Sequence, residues 1–290
     1  EIGVRLVGSE MCIRDSDWTG PERFDRIAQR LSAGSKLNAS TMKAIQADVH
    51  SLAAERLLPY LQSLSSQHAK APEALPLLKS FKGDMSRDSA GALIYAVWID
   101  EVTRAILMPK LGETRFKALF GKRSFRPAIE GILATQDPSW CGVTGCQALM
   151  NKALDSALDK IVSMQGDKVS AWNWGRAHPA LSSHRPFGNV KALAGFFDVV
   201  GPSGGDGFTV NVGQYWTHSA TMPFATRHAA SMRAVYDLAN LDESGFIYQT
   251  GQSGHPFSSR YQDMKDEWGQ VKYRPLRMST SGPTQVLRLT

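Results

Sequence analysis

The chain has 290 residues, 42% hydrophobic and 21% charged, a balance that supports a packed core and excludes a wholly disordered or collagen-like chain. Lysine and arginine outnumber aspartate and glutamate 33 to 27, giving a net charge of +6. The basic residues are nevertheless scattered, apart from the acid-poor end around Lys272, Arg274, Arg277 and Arg288, whereas nucleic-acid binding gathers them on one face. No nucleic-acid or membrane partner is expected: no apolar run has the length of a bilayer span, and no helical segment has a Lys/Arg-rich face.

Residues 1–16, EIGVRLVGSEMCIRDS, show no helix or strand period and no signal-peptide pattern. They resemble translated sequencing-adapter sequence and are read as foreign to the protein, the alternative being an irregular native arm. Residues 17–290 are read as one unit, helical over about 17–165 and sheet-forming over about 170–290. Phe24, Ile27, Ala28 and Leu31 have helical spacing, and Gly34 ends that segment. Ser40 precedes a second helix with Met42, Ile45, Val49, Leu52 and Leu57 on one face, stopped at Pro59. Residues 62–90, with Pro72, Pro76 and Gly83, read as a long connection holding a short helix. A buried helix is expected from Ala90 to Met108, closed by Pro109, with another turn or two over Arg115–Phe120. Ser139–Cys146 reads as a tight loop leading into a helix striped by Leu149, Met150, Ala153, Leu154, Ala157, Leu158, Ile161 and Val162.

Beyond about residue 170, Gly, Pro, Trp, Tyr and Thr rise and strand-like runs appear: Phe208–Gly213, Ser231–Leu238 and Gly245–Thr250. Turn-forming stretches at Gly201–Gly207 and Asn240–Ser244 separate them. The expected class is α+β, helices first and antiparallel strands later.

Gly201-Pro202-Ser203-Gly204-Gly205 satisfies the G-x-S-x-G pattern of serine hydrolases. That pattern exposes its serine only where a strand enters and a helix leaves. Phe196–Val200 could supply the strand, but Gly204–Gly207 cannot begin a helix, so a glycine-rich turn is the favoured reading. His178 and His184 have no Cys, Asp or Glu nearby to complete a metal set, and read as hydrogen-bonded structural or surface histidines. Cys146, at a helix start, could be a reactive thiol, but no basic neighbour or second ligand pair supports a nucleophile or zinc. A loop-closing disulfide between Cys141 and Cys146 fits better and implies an oxidising compartment. In the last third, Gly251–Gly254 brackets a turn after a strand, and Tyr261, Asp263 and Trp268 follow as a polar-aromatic helix edge.

An ordered set of stretches resembles the penicillin acylase family of N-terminal-nucleophile hydrolases, in the C-terminal part of their β-subunit. The set comprises DWTGPERFDRI (17–27), MKAIQADVHS (42–51), GDMSRDS (83–89), Trp140-Cys141 with Cys146, WNWGRAHPALSSHRPFG (172–188), GGDGFTVNV (204–212), 231–238 and 251–263. It looks closest to the acyl-homoserine-lactone acylase branch. The resemblance implies an αββα sandwich, a periplasmic or secreted enzyme, and a precursor cut to expose an N-terminal serine that attacks an amide bond with its own α-amino group as base. It also implies that the nucleophile, the oxyanion asparagine and any calcium ligands lie upstream of Asp17. No cofactor is then expected in this segment, whose partners would be the α-subunit and the rest of the β-subunit. Of the catalytic neighbourhood only Arg23 remains, resembling the arginine that orders polar groups around the nucleophile; a solvated helix arginine is the alternative. The family usually has His and Gln where this chain has Arg260 and Met264. The rival readings are a serine hydrolase using Ser203 and a non-catalytic scaffolding or binding fragment.

Overall fold

A computed structural model describes residues 20–34, 36–119, 125–215 and 222–277; the 1–16 segment and Cys12 lie outside them. The chain is α+β, helices first and two small sheets later. The core is built on helix α6 (Ala90–Leu111), after α1 (Glu22–Ser32), α2 (Ala39–Gln46), α3 (Leu52–Glu55), α4 (Leu58–Gln62) and α5 (Ala71–Ser80). Helix α6 starts where the Ser89 hydroxyl accepts the Ala92 N–H, the usual service of an N-cap serine. Its run from Gly91 to Asp100 is buried on every side, which marks a helix enclosed by others rather than an amphipathic surface one. The helix passes through Pro109 and ends at Gly112, whose φ is +73° and whose N–H reaches Met108 O. A proline in the last turn forfeits one backbone bond without ending the helix.

After α7 (Glu113–Leu119), α8 (Phe125–Thr135) and the short α9 (Pro138–Cys141) comes α10 (Gly145–Gln165), which lies along α6. Met150, Leu154, Ala157, Leu158 and Ile161 are buried there, and the Trp98 indole donates to Met150 O at 3.2 Å. Removing a fully buried tryptophan of this kind costs about 3–5 kcal/mol. Cys141 and Cys146 are joined by a disulfide with Cα atoms 4.8 Å apart, tying α9 to the first turn of α10.

Three expected elements differ. The single helix expected from Met42 to Leu57 is two pieces, α2 and α3, the first capped by Asn38 rather than Ser40. Residues 49–51 turn extended because Ser51 N donates to Gly83 O at 2.8 Å and Met85 N to Val49 O at 2.9 Å. Pro59 opens α4 rather than stopping a helix, since the first turn does not need its missing N–H. The strand expected over Phe208–Gly213 is a turn over 207–211, Gly213 alone belonging to a strand: the Phe208 N–H donates to Asp206 Oδ1 at 2.7 Å, and the Thr209 hydroxyl donates to Asn211 O at 2.8 Å. Such local side-chain bonds replace a ladder.

Following α11 (Trp174–Ala177), strand β1 (Pro179–Ser182) and helix α12 (Lys191–Phe197) lead to β2 (Val199–Pro202), β3 (Gly213–Tyr215) and β4 (Thr226–Ala229). These strands form a sheet of order β2-β1-β4-β3, antiparallel except for the β1–β4 pair. Strands β5 (Met232–Val235), β6 (Gly245–Tyr248) and β7 (Arg274–Pro275) form an antiparallel second sheet in that order. Helix α13 (Lys265–Gly269) packs over it through Met264 and Trp268. No helix of the described residues is long and apolar enough to cross a membrane.

Candidate functional site

Arg23 stands in the first turn of α1, and that helix is turned against its apolar pattern. Phe24 is 74% exposed, while Glu22 is buried. Ion pairs set the orientation: Glu22 accepts from Arg56 at 2.5 Å and Glu130 from Arg56 at 2.7 Å, while Arg26 makes a forked contact to Asp48 at 2.8 and 3.1 Å. Planar pairing of this kind fixes direction as well as distance. Arg23 is thereby aimed at residues 206–212, donating from Nε to Thr209 O at 3.0 Å and from Nη2 to Val210 O at 3.5 Å.

That segment is rigidly built. Buried Asp206 accepts from the Ser51 hydroxyl at 2.9 Å as well as from Phe208 N. Burial pushes the Asp206 carboxyl pKa up, and the Phe208 N–H, Arg126 and Ser51 oppose the shift. Gly205 precedes it with φ +86°, a left-handed value that only glycine adopts freely. Asn211 N donates to Asp48 O at 2.9 Å, so the carboxylate that holds Arg26 belongs to the residue whose carbonyl holds the loop.

On the far side, Arg233 of β5 is 6% exposed. Its guanidinium lies 4.4 Å from the Trp268 ring centroid, donates from Nη1 to Trp268 O at 3.1 Å and from Nη2 to Asn211 Oδ1 at 2.6 Å. Burial pulls its pKa down to about 10, because desolvation disfavours the charged form. Between the two arginines is a cleft of about 410 Å³, lined also by Gln46, Val210, Asn211, Val212, Ala230, Met232 and Ala234.

The other predicted residues lie elsewhere. Ser203 follows β2 but no helix leaves it; it is buried, its hydroxyl donating to Gly204 O at 3.3 Å. The elbow a nucleophilic serine requires is therefore missing. His178 is enclosed by Trp174 and Tyr215, whereas His184 stacks on Phe187, so the two histidines belong to different clusters. Among the described residues no group of three or more His, Cys, Asp or Glu is placed to hold a metal ion. Arg260 is exposed and reaches Asp263 at 3.1 Å, while Met264 is buried under the second sheet. Asp263 is held below the usual carboxylate range by its bond to Arg274. Arg233 and Asn211 were not legible as site residues; a charged residue within an otherwise apolar strand at 232–235 was the available signal.

The penicillin amidase family model matches residues 7–283. The chain belongs to the penicillin amidase family. It is 28% identical over 288 residues to the acyl-homoserine lactone acylase QuiP of Pseudomonas syringae pv. syringae, covering 90% of this chain and 34% of that one. It is 27% identical over 266 residues to the penicillin acylase 2 proenzyme of a Pseudomonas species, with 91% and 34% covered. The chain thus spans about a third of the length of these curated relatives. A thermostable penicillin G acylase from Alcaligenes faecalis shares the fold, with a TM-score of 0.53 and 14% identity, covering 94% of this chain and 54% of that one. As a member of the penicillin amidase family, the chain has homologues named as acylases and shares the fold of a penicillin G acylase.

Proposed function

We propose that this chain is the C-terminal part of the β-subunit of an amidohydrolase that cleaves the linear amide bond of an N-acyl substrate of the penicillin or acyl-homoserine-lactone type. The observation that carries the reading is the penicillin amidase match over residues 7–283, in which the 34% share of each curated relative leaves room for a nucleophile-bearing part. In the proposed reaction a serine at the start of the β-subunit attacks the amide carbon, its α-amino group taking the hydroxyl proton. The carbon–nitrogen bond breaks, the protonated amine leaves, and water then hydrolyses the acyl ester. An asparagine side chain and a backbone N–H stabilise the oxyanion. These groups lie upstream of Asp17, as does any bound calcium, and the α-subunit completes the enzyme. Arg23 acts as a positioning residue, its forked donors fixing the backbone at 209–210. The Cys141–Cys146 bridge supports a periplasmic or secreted location.

The test compares the purified 290-residue chain with the protein from the complete reading frame, using phenylacetyl amides and long-chain acyl-homoserine lactones. Amine release by the complete protein, with a new N-terminal serine found by mass spectrometry and no turnover by the 290-residue chain, is expected. Turnover by the 290-residue chain that survives repurification and disappears in Ser203→Ala overturns the reading.

A further inference from the structure

Among the described residues, the cleft between Arg23 and Arg233 is lined by two guanidinium groups and by neutral side chains, with no carboxylate. Arg233 is a buried charge, 6% exposed. A buried charge is normally matched by one of opposite sign, as the buried Asp48 carboxylate is by Arg26 at 2.8 Å. Among the described residues Arg233 has no carboxylate partner; its acceptors are one amide oxygen and one carbonyl oxygen, and the Trp268 ring lies against its face. Neutral acceptors and a π-face stabilise a guanidinium only in part. Asn211 is the side chain that brings this cation to the cleft wall, and Arg23 adds positive charge from the opposite side.

We propose that this cleft is a carboxylate-binding site, in which Arg233 supplies the buried guanidinium and Asn211 holds its fork in place. A carboxylate entering from the solvent side would meet Arg233 in a partly desolvated setting, where a charge-assisted pair is stronger than on an open surface. The wall formed by Val210, Val212 and Met232 suits a short apolar group attached to that carboxylate. The ligand is either a free organic acid or the carboxylate side chain of a polypeptide; both present the same two oxygens. The site stands on these contacts and does not depend on the acylase reading.

The experiment uses the 290-residue chain labelled with ¹⁵N-arginine, the Arg233 Nε–H resonance being identified by its loss in Arg233→Lys. Phenylacetate and octanoate are titrated against phenylacetamide, and a peptide Ac-Gly-Glu-Gly-amide against its Gln analogue. Carboxylates shift the Arg233 signal and the neutral amides do not. Tighter binding of the free acids identifies a small-molecule source, and tighter binding of the Glu peptide a polypeptide source. Asn211→Asp places a carboxylate beside Arg233 inside the protein; it raises Tm and weakens phenylacetate binding at least tenfold. Equal responses to acid and amide, or Asn211→Asp binding phenylacetate as the parent does, overturns the proposal. Should Arg233→Lys not fold, the Asn211→Asp comparison, read by calorimetry and Tm, decides alone.

Discussion

A methyl group on Gly205 would strike the carbonyl oxygen of Asn211 and lie 2.7 Å from the Thr209 hydroxyl. Gly205 already has φ +86°, and its N–H and C=O are both engaged, by Met85 O at 2.8 Å and the Trp174 indole at 2.9 Å. The backbone therefore cannot slide away from an added side chain. Gly205→Ala is expected to cost about 2–4 kcal/mol, since strain and overlap act together. Urea denaturation checks this through the midpoint at constant m-value; an unchanged midpoint would mean the 205–211 turn adapts.

The Cys141–Cys146 bridge closes a loop of sequence separation 5. Chain-entropy reasoning gives such a short loop about 2 kcal/mol of stabilisation. The double variant Cys141→Ser/Cys146→Ser should lose that amount in denaturant unfolding. Thiol titration of denatured, unreduced protein should find one reactive cysteine of the three in the chain, Cys12. Three reactive thiols in protein made under oxidising conditions would refute the pairing.

The parts of the fold that sequence revealed were those with one dominant force. The stripe on Gly145–Gln165 and the apolar run in Ala90–Leu111 are hydrophobic signals, and both helices formed there. Where polar pairing decided, periodicity misled. Phe24 and Leu31 look like a buried face, yet Glu22, Arg26 and their partners turn α1 the other way. The turn at 206–211 alternates like a strand, but Asp206 and Thr209 bond their own neighbours. The cleft was hidden for a further reason: Arg23 lies 186 residues from Thr209 in sequence, and the two walls meet only in the folded chain, where Arg23 reaches Thr209 O and Val210 O and Arg233 reaches Asn211 Oδ1. Stretch-by-stretch resemblance singled out Arg23 as a candidate, but no local pattern pairs it with Arg233.

His178 is fully buried, with Nδ1 at 2.7 Å from Phe224 O and Nε2 at 3.0 Å from the Thr226 hydroxyl. A carbonyl can only accept, so Nδ1 carries the proton and Nε2 accepts from Thr226. The ring is neutral, and burial lowers its pKa to about 4, against the opposing hydrogen bond to Phe224. Near pH 7 neither the folded nor the unfolded state protonates this group strongly. Between about pH 6.5 and pH 4 the unfolded state takes up a proton that the folded state refuses, so stability falls as pH falls. The loss reaches about 3 kcal/mol by pH 4. Comparing unfolding free energies at pH 7 and pH 4 should show a smaller drop in His178→Gln. Equal drops would assign the acid sensitivity to other groups.

Arg23→Lys separates a positioning role from a simple surface charge. Arg23 contacts two successive carbonyls, Thr209 O and Val210 O, from two different nitrogens. Lysine keeps the charge but presents a single flexible ammonium in place of the planar fork, so it cannot hold both carbonyls in fixed register. If that register orders the groups around the serine, the transition state loses support that the bound substrate never used. In the complete, processed enzyme kcat should then fall about tenfold, equivalent to about 1.4 kcal/mol of transition-state stabilisation. KM should move far less. Arg23→Gln, which retains one donor and loses the charge, should fall further. The measurement is steady-state amine release on variants shown by mass spectrometry to be fully processed, with Tm recorded alongside. A kcat equal to the parent's in Arg23→Lys would return Arg23 to the role of a solvated helix residue, and a rise in KM alone would place it in substrate binding instead.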